Sequence, residues 1–264
     1  LFNKSINNVK SMNIFDNVSS EIIDTDNPNE KSINIRVEEK PTGQISLGAG
    51  VGTSGTSTSF GVQENNFLGK AIKLNSNLTI SEESIKGLFA YTKPNYANSD
   101  KDLTLSLQAT ETDRLTDFGY KSNDTGFSVG TNFEYLEDLY FAPNVIVNYE
   151  SLTTSSAASS LLKKQEGSYF DTEVSYSFFY DQRDQTFQPT DGYSTYFFQQ
   201  LPINFDENQT VVNGLEYNTY YEYLDNQIFS LSLFAKAANS IGEDDVRISD
   251  RLYLPAGKLR GFEA

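Results

Sequence analysis

The sequence predicts a mainly β chain. An antiparallel sheet of about eleven strands forms the wall of a membrane β-barrel, preceded by part of a small α+β domain. Three observations predict it. From Gly43 onward, apolar and polar residues alternate with a period of two, and no helical stretch separates the runs. The apolar faces of the regular runs carry no Asp, Glu, Lys or Arg. No apolar run approaches the ~20 residues that a membrane helix needs. A mean hydropathy of −0.47 nevertheless fits a barrel, whose alternating strands average out as polar.

Residues 1–40 read differently from the rest. Ile6, Val9 and Met12 fall at helical spacing over 4–13. Asn17 to Ile23 reads as a strand, Asp26-Asn27-Pro28-Asn29-Glu30 as a turn, and Ser32 to Glu38 as a second strand. Helix, strand, turn and strand are too little for a core, so the segment reads as the back half of an α+β domain. Pro41-Thr42-Gly43 joins it to the first strand of the barrel.

The barrel strands come next, in order. Over 71–81, Ile72, Leu74, Leu78 and Ile80 share one face, and Lys73, Asn75, Asn77 and Thr79 the other. Over 103–110, Leu103, Leu105, Leu107 and Ala109 oppose Thr104, Ser106, Gln108 and Thr110. The same alternation runs through 125–133, 170–180, 211–223 and 229–237. Less regular strands fill 43–52, 57–67, 84–92, 139–150 and 192–203. Neighbours then pair as antiparallel hairpins. A Lys or Arg at the lipid midplane costs about 2–4 kcal/mol, so a lipid-facing wall should be free of charge. A soluble sandwich or lipocalin-like barrel shows the same alternation with its apolar face turned inward, and periodicity alone leaves both readings open. Connections add a hint. Short turns at 68–70, 134–138 and 224–227 alternate with longer stretches at 111–124 and 151–167, as in outer-membrane barrels; 81–84 and 181–191 break the rule.

Composition excludes several functions. The 264 residues hold 36 Asp+Glu against 20 Lys+Arg, a net charge of −16, which argues against nucleic acid as a partner. There is no Cys and no His, which removes disulfides, Cys/His zinc sites, thiol nucleophiles and a Ser-His-Asp triad. Asp181-Gln182-Arg183-Asp184, before Gln188-Pro189-Thr190-Asp191-Gly192, reads as a capped hairpin turn rather than an acid pair. Glu243, Asp244, Asp245 and Asp250 lack the spacing of a calcium loop and read as a solvated loop. Gly48-Ala49-Gly50-Val51-Gly52 opens no helix and has no Walker Lys, so it is no nucleotide loop. No metal, cofactor or catalytic set is expected. Gly43, Gly48, Gly50 and Gly52 instead mark a sparsely packed strand, easily parted from a neighbour. The chain opens at Leu1 with no leader and stops at Ala264 with no tail. An odd strand count also leaves a barrel unclosed, so the chain reads as a fragment.

Several motifs together resemble one family. Val37-Glu38-Glu39-Lys40-Pro41-Thr42-Gly43, then Gly48 to Gly52, resembles the junction of the last POTRA domain and the barrel in the BamA family of outer-membrane assembly proteins, within the bacterial surface antigen superfamily. Asn13 to Val18 resembles the helix-to-strand step of a POTRA domain, and Val62 to Gly69 the second barrel strand and its turn. Asp181, Arg183, Asp184, Pro189 and Gly192 resemble the family's periplasmic hairpin. Leu254 to Phe262 resembles the loop that folds back into the lumen, with Arg260, Gly261 and Phe262 as its signature and Leu259 in place of the usual Val.

The resemblance implies a POTRA remnant over 1–40, in the periplasm, and the N-terminal portion of the barrel over 41–264. The family barrel has about sixteen strands, with the Arg-Gly-Phe loop after the eleventh. It implies no catalysis. The family inserts β-barrel proteins into the bacterial outer membrane without nucleotide, presenting a strand edge at a weak lateral seam. Here that strand is 43–52. The implied partners are unfolded outer-membrane protein precursors, assembly-complex lipoproteins and outer-membrane lipids. Partners of Arg260 would lie beyond Ala264, so it should be unpaired here. The alternatives are a related POTRA-barrel transporter, of the two-partner secretion or translocation-assembly type, and a passive porin-like barrel.

Overall fold

The fold is taken from a computed structural model, which describes residues 2, 6, 9–10, 12–26, 30–52, 55–203, 209–224, 227–242 and 245–252. Phe2, Ile6, Val9 and Lys10 are helical, so the helix ends before Met12, earlier than the spacing predicts. Asn13 stops it with a left-handed φ of 56°, a conformation that Asn tolerates. β1 (Phe15–Asp24) and β2 (Lys31–Glu39) pair as a separate two-stranded sheet. Ile6 and Ile14 are buried, whereas Ile22 and Ile33, paired across the hairpin, are 54% and 48% exposed.

The other described strands form one sheet. It contains β3 (Gly43–Gly52), β4 (Gly55–Phe67), β5 (Ile72–Ser81), β6 (Ser84–Lys93), β7 (Asp102–Arg114), β8 (Tyr120–Leu136), β9 (Leu139–Thr154), β10 (Gly167–Asp181), β11 (Gly192–Pro202), β12 (Thr210–Leu224) and β13 (Gln227–Ser240). The 11 strands lie in sequence order, each antiparallel to the next, with β3 and β13 at the two edges. The expected strand number and meander topology are both found. One helical turn, α1 (Ser160–Lys164), interrupts the Ser-rich connection, and the Ser159 hydroxyl caps it by accepting from Leu162 N at 3.2 Å.

Register assigns the two faces. Leu78, Gly87, Ala109, Thr125 and Tyr149 lie on one face, and Asn77, Leu88, Gln108, Gly126 and Asn148 on the other. The first face carries Leu74, Leu105, Phe127, Val147, Phe178 and Leu233; the second carries Lys73, Lys86, Asp124, Glu150, Asp171, Glu173, Glu216 and Lys236. No second layer covers the apolar face, because each strand packs substantially on its sequence neighbours alone. Among the described residues no large side chain is fully buried, and Leu78, Leu107, Phe127 and Leu233 stand 41%, 52%, 43% and 57% exposed. A sandwich would have hidden them. No helix among the described residues is long and apolar enough to cross a membrane.

Aromatic side chains cluster on the apolar face toward one rim. Phe141 stacks on Phe178 at 4.8 Å and meets Phe133 edge-on at 5.8 Å, while Tyr193 lies 6.0 Å from both Tyr180 and Tyr217. That rim, here the lower one, holds the connections 68–71, 94–101, 137–138 and 182–191. The upper rim holds 82–83, 115–119, 155–166 and 245–252.

Two expectations are corrected. The stretch 111–124 is mostly strand, not loop: Thr112 pairs with Ser122 and Asp113 with Lys121. The ladder continues past the apolar band because cross-strand charges support it, Lys121 Nζ donating to Glu111 Oε1 at 2.7 Å. The apolar face is also not wholly free of charge. Glu64, Lys93, Glu111, Asp113 and Lys121 lie on it, all at strand ends, beyond the width of the hydrocarbon.

Neighbouring positions give a direct check. In lipid bilayers Leu78→Arg should destabilise the barrel by about 2–4 kcal/mol, and Asn77→Arg by less than about 1 kcal/mol, measured by reversible unfolding from vesicles.

Candidate functional site

The sequence-predicted residues fall into three groups. β3, the predicted seam strand, pairs with β4 in unbroken register from Gly43–Glu64 to Gly52–Gly55, and its other edge has no strand partner in the sheet. Gly48, Gly50 and Gly52 share the inner face, and Gly43 lies on the outer one. The inner face is not empty beside β4. A Cβ on Gly48 would come within 2.6 Å of Ser59 Oγ, and one on Gly61 within 2.5 Å of Ser46 Oγ, so each serine occupies the space that a glycine leaves. On the outer face Ile45, Leu47 and Val51 are 73%, 80% and 85% exposed, the highest of the apolar strand residues. β3 is thus firmly joined on one side and open on the other.

The junction below β3 is tied by Glu64. Its carboxylate accepts from the Thr42 hydroxyl and, at 2.7 Å, from Asn66 N in the β4 bulge. Lys40 N donates to Ile14 O at 3.2 Å, closing the β1–β2 hairpin just before the sheet begins.

The second group is the β10–β11 hairpin. Arg183 forks onto Asp181, Nε to Oδ1 and Nη2 to Oδ2, both at 2.7 Å. Asp184 accepts from Thr190 N at 3.0 Å, Thr190 Oγ1 at 2.8 Å and Asp191 N at 3.2 Å. Gly192 has φ 91°, and a Cβ there would strike Gln182 O at 2.1 Å, so only glycine fits. Gln182 Nε2 and Asp181 N both bond Asp138, joining the hairpin to the β8–β9 turn. Both carboxylates are fully engaged, as in a capped turn and unlike an acid pair.

The third group, Arg260, Gly261 and Phe262, lies outside the described residues, as do Glu243 and Asp244. The segment just before them holds what sequence reasoning missed. Asp250 is no solvated loop residue. It belongs to a buried cluster on the inner face of β9 and β10, at the upper rim. Arg247, 6% exposed, donates from Nη2 to Asp171 Oδ2 at 2.6 Å. Its Nη1 lies 3.6 Å from Glu150 Oε2, its Nε 3.4 Å from Asp250 Oδ2, and its guanidinium 4.9 Å from the Tyr169 ring.

Hydrogen bonds hold the segment in place around that arginine. Gln165, between α1 and β10, donates to Val246 O at 3.4 Å and accepts from Ile248 N at 3.1 Å. Ser249 Oγ donates to Glu150 at 2.9 Å, and Thr210 Oγ1, at the start of β12, to Asp250 at 2.8 Å. The sequence carried no local signal of this, because the partners stand 76 and 99 positions away. Removing one partner from such a buried pair typically costs about 3–5 kcal/mol, since the other charge is left stranded. No group of side chains among the described residues is arranged to hold a metal ion.

Comparison with known proteins gives two findings. Residues 66–264 match the model of the Omp85 superfamily domain. The fold is similar to the crystal structure of BamA from Haemophilus ducreyi lacking POTRA domains 1-3, with a TM-score of 0.73 and 18% identity over 94% of this chain and 51% of that one. It is also similar to CdiB from Escherichia coli, with a TM-score of 0.54 and 13% identity over 89% of this chain and 47% of that one. The chain therefore spans about half the length of these solved structures.

The hairpin carries a pH prediction. The Thr190 hydroxyl, then the backbone N–H groups around it, hold the Asp184 carboxyl below its ordinary value against a smaller opposing effect of burial. A depressed carboxyl stabilises the turn above the unfolded value of about 4 and ceases to as pH falls through its folded value. Exchange protection of the Thr190 and Asp191 amides should be constant at neutral pH and disappear in acid below about pH 4. In Asp184→Ala it should be weak at every pH.

Proposed function

The chain belongs to the Omp85 superfamily, and from that premise we propose that it is part of an outer-membrane protein that assembles and inserts other β-barrel proteins. The single observation that carries this reading is β3. It combines a complete ladder on its β4 edge with glycines inward and apolar side chains outward, and its other edge is the one that a closing or client strand would take. Such an edge offers backbone N–H and C=O groups to an incoming strand, which is recognition by strand addition. No nucleotide is used: pairing and burial of the client's apolar face supply the free energy.

The fold likeness to BamA supports the reading. On this assignment the lower rim is periplasmic and the upper rim faces the exterior. Residues 1–40 are the C-terminal part of a POTRA domain, which the half-exposed Ile22 and Ile33 face supports, since a partial domain leaves its core uncovered. Asp181, Arg183, Asp184, Pro189 and Gly192 shape a periplasmic turn that links two hairpins. Arg260, Gly261 and Phe262 are lumen-loop residues by motif alone. The partners on this reading are unfolded outer-membrane protein precursors, assembly-complex lipoproteins and outer-membrane lipids. A second reading, a transporter of the same superfamily, draws on the likeness to CdiB.

The two readings differ in where a client touches the protein. A photo-crosslinking residue at Leu47, in the complete protein in cells, should capture unfolded barrel precursors, while one at Leu107 in mid-sheet should capture at least about tenfold less. Capture of a secreted polypeptide from inner-face positions such as Asn77, with none at Leu47, would favour the transporter and contradict assembly.

A further inference from the structure

The segment 245–252 crosses the upper rim and turns inward, although its composition is that of a solvated loop. Three elements hold it: β9 through Glu150, β10 through Asp171 and Tyr169, and the start of β12 through Thr210. All of these bonds converge on a stretch of six residues, Val246 to Arg251. Within it, Asp250 N donates to Arg247 O at 3.0 Å and Arg251 Nε to Val246 O at 3.3 Å, forming a compact knot. Gln165 alone bonds both sides of Arg247, which fixes the backbone from which the guanidinium reaches inward.

We propose that Arg247 is a positioning residue, the latch that seats the segment following β13 against the inner wall at the external mouth of the barrel. The proposal rests on the barrel reading above for which rim faces outward. Arg suits the task better than Lys because three carboxylates and a ring surround it. A planar fork with five donors can serve several acceptors and stack at once, whereas an ammonium is a point charge. Asp171 and Glu150 are 8% and 3% exposed, so without the cation two carboxylates would lie uncompensated in the wall. The segment therefore has two states: seated with Arg247 in place, or released so that water reaches the carboxylates.

The test uses the complete protein in outer membranes of living cells, where the described chain supplies no native Cys. Thr210→Cys, at a position 6% exposed where the segment meets β12, is labelled from outside with a membrane-impermeant maleimide. With Arg247 present labelling should be slow; Arg247→Ala should raise its rate by about tenfold or more, with heat-modifiable gel mobility unchanged. Arg247→Lys should lie between. The exchange Arg247→Asp with Asp171→Arg should recover slow labelling, which a general loss of stability would not do. Fast labelling with Arg247 in place, or equal rates in all variants, would overturn the latch.

Should Arg247→Ala fail to form a barrel, Glu150→Cys with Ser249→Cys in the Arg247 background decides. A short bis-thiol crosslinker should join them in the folded barrel, and absence of the crosslink would overturn the latch. Levels of other outer-membrane proteins, measured in parallel, report separately on the assembly reading. The labelling result stands whichever way those levels go.

Discussion

Hydrocarbon offers no hydrogen bonds, so every backbone N–H and C=O that enters it must be paired within the protein. That constraint governs the rest of this structure. It forces strands in sequence order to pair with both neighbours, which the ladders from β3 to β13 do. It makes the side-chain period two, so one face meets lipid and the other meets water. It also makes an unpaired edge costly. β3 and β13 are the two outer strands of the described sheet, and a client strand that joined β3 would satisfy its free backbone groups.

The same constraint sorts charge. Acidic residues outnumber basic ones in this chain, and within the apolar band they point inward. An inner wall so rich in carboxylates needs cations brought to it. Arg247 reaches Asp171 and Glu150 from a connecting segment rather than from a neighbouring strand. Lys236, on β13, lies over the rings of Phe198 and Phe234. The long-range arginine does what local pairs cannot, because it ties the end of the described chain to strands formed much earlier.

Most of the sheet was legible in the sequence. Leu74, Leu78 and Ile80 against Lys73, Asn75 and Asn77 report a strand directly, because a two-residue period reflects local geometry. The boundaries of β3 agree to the residue, and β1, β2 and β10 to within three residues at each end. Less legible was how far β7 and β8 extend. Their upper ends are polar on both faces, and only pairing partners, not periodicity, keep them in register. The hairpin's turn chemistry was readable from Asp184, Pro189 and Gly192, since those residues act within a few positions of one another. The Arg247 cluster was not readable. Its partners come from β9, β10 and β12, and tertiary convergence of this kind leaves no spacing to detect. Nor does any local pattern show that Ser59 and Ser46 fill the gaps beside the glycines of β3 and β4, because the contact is made across the ladder.

The uncovered apolar face meets acyl chains, and the most direct measurement of that contact is a spin-label scan along β7, from Leu103 to Thr110, in lipid bilayers. Collision rates with oxygen, which concentrates in hydrocarbon, and with a water-soluble nickel complex are compared at each position. Leu103, Leu105, Leu107 and Ala109 should respond to oxygen, and Thr104, Ser106, Gln108 and Thr110 to nickel, in strict alternation. Alternation in the opposite phase, or nickel access at every position, would contradict a lipid-facing wall.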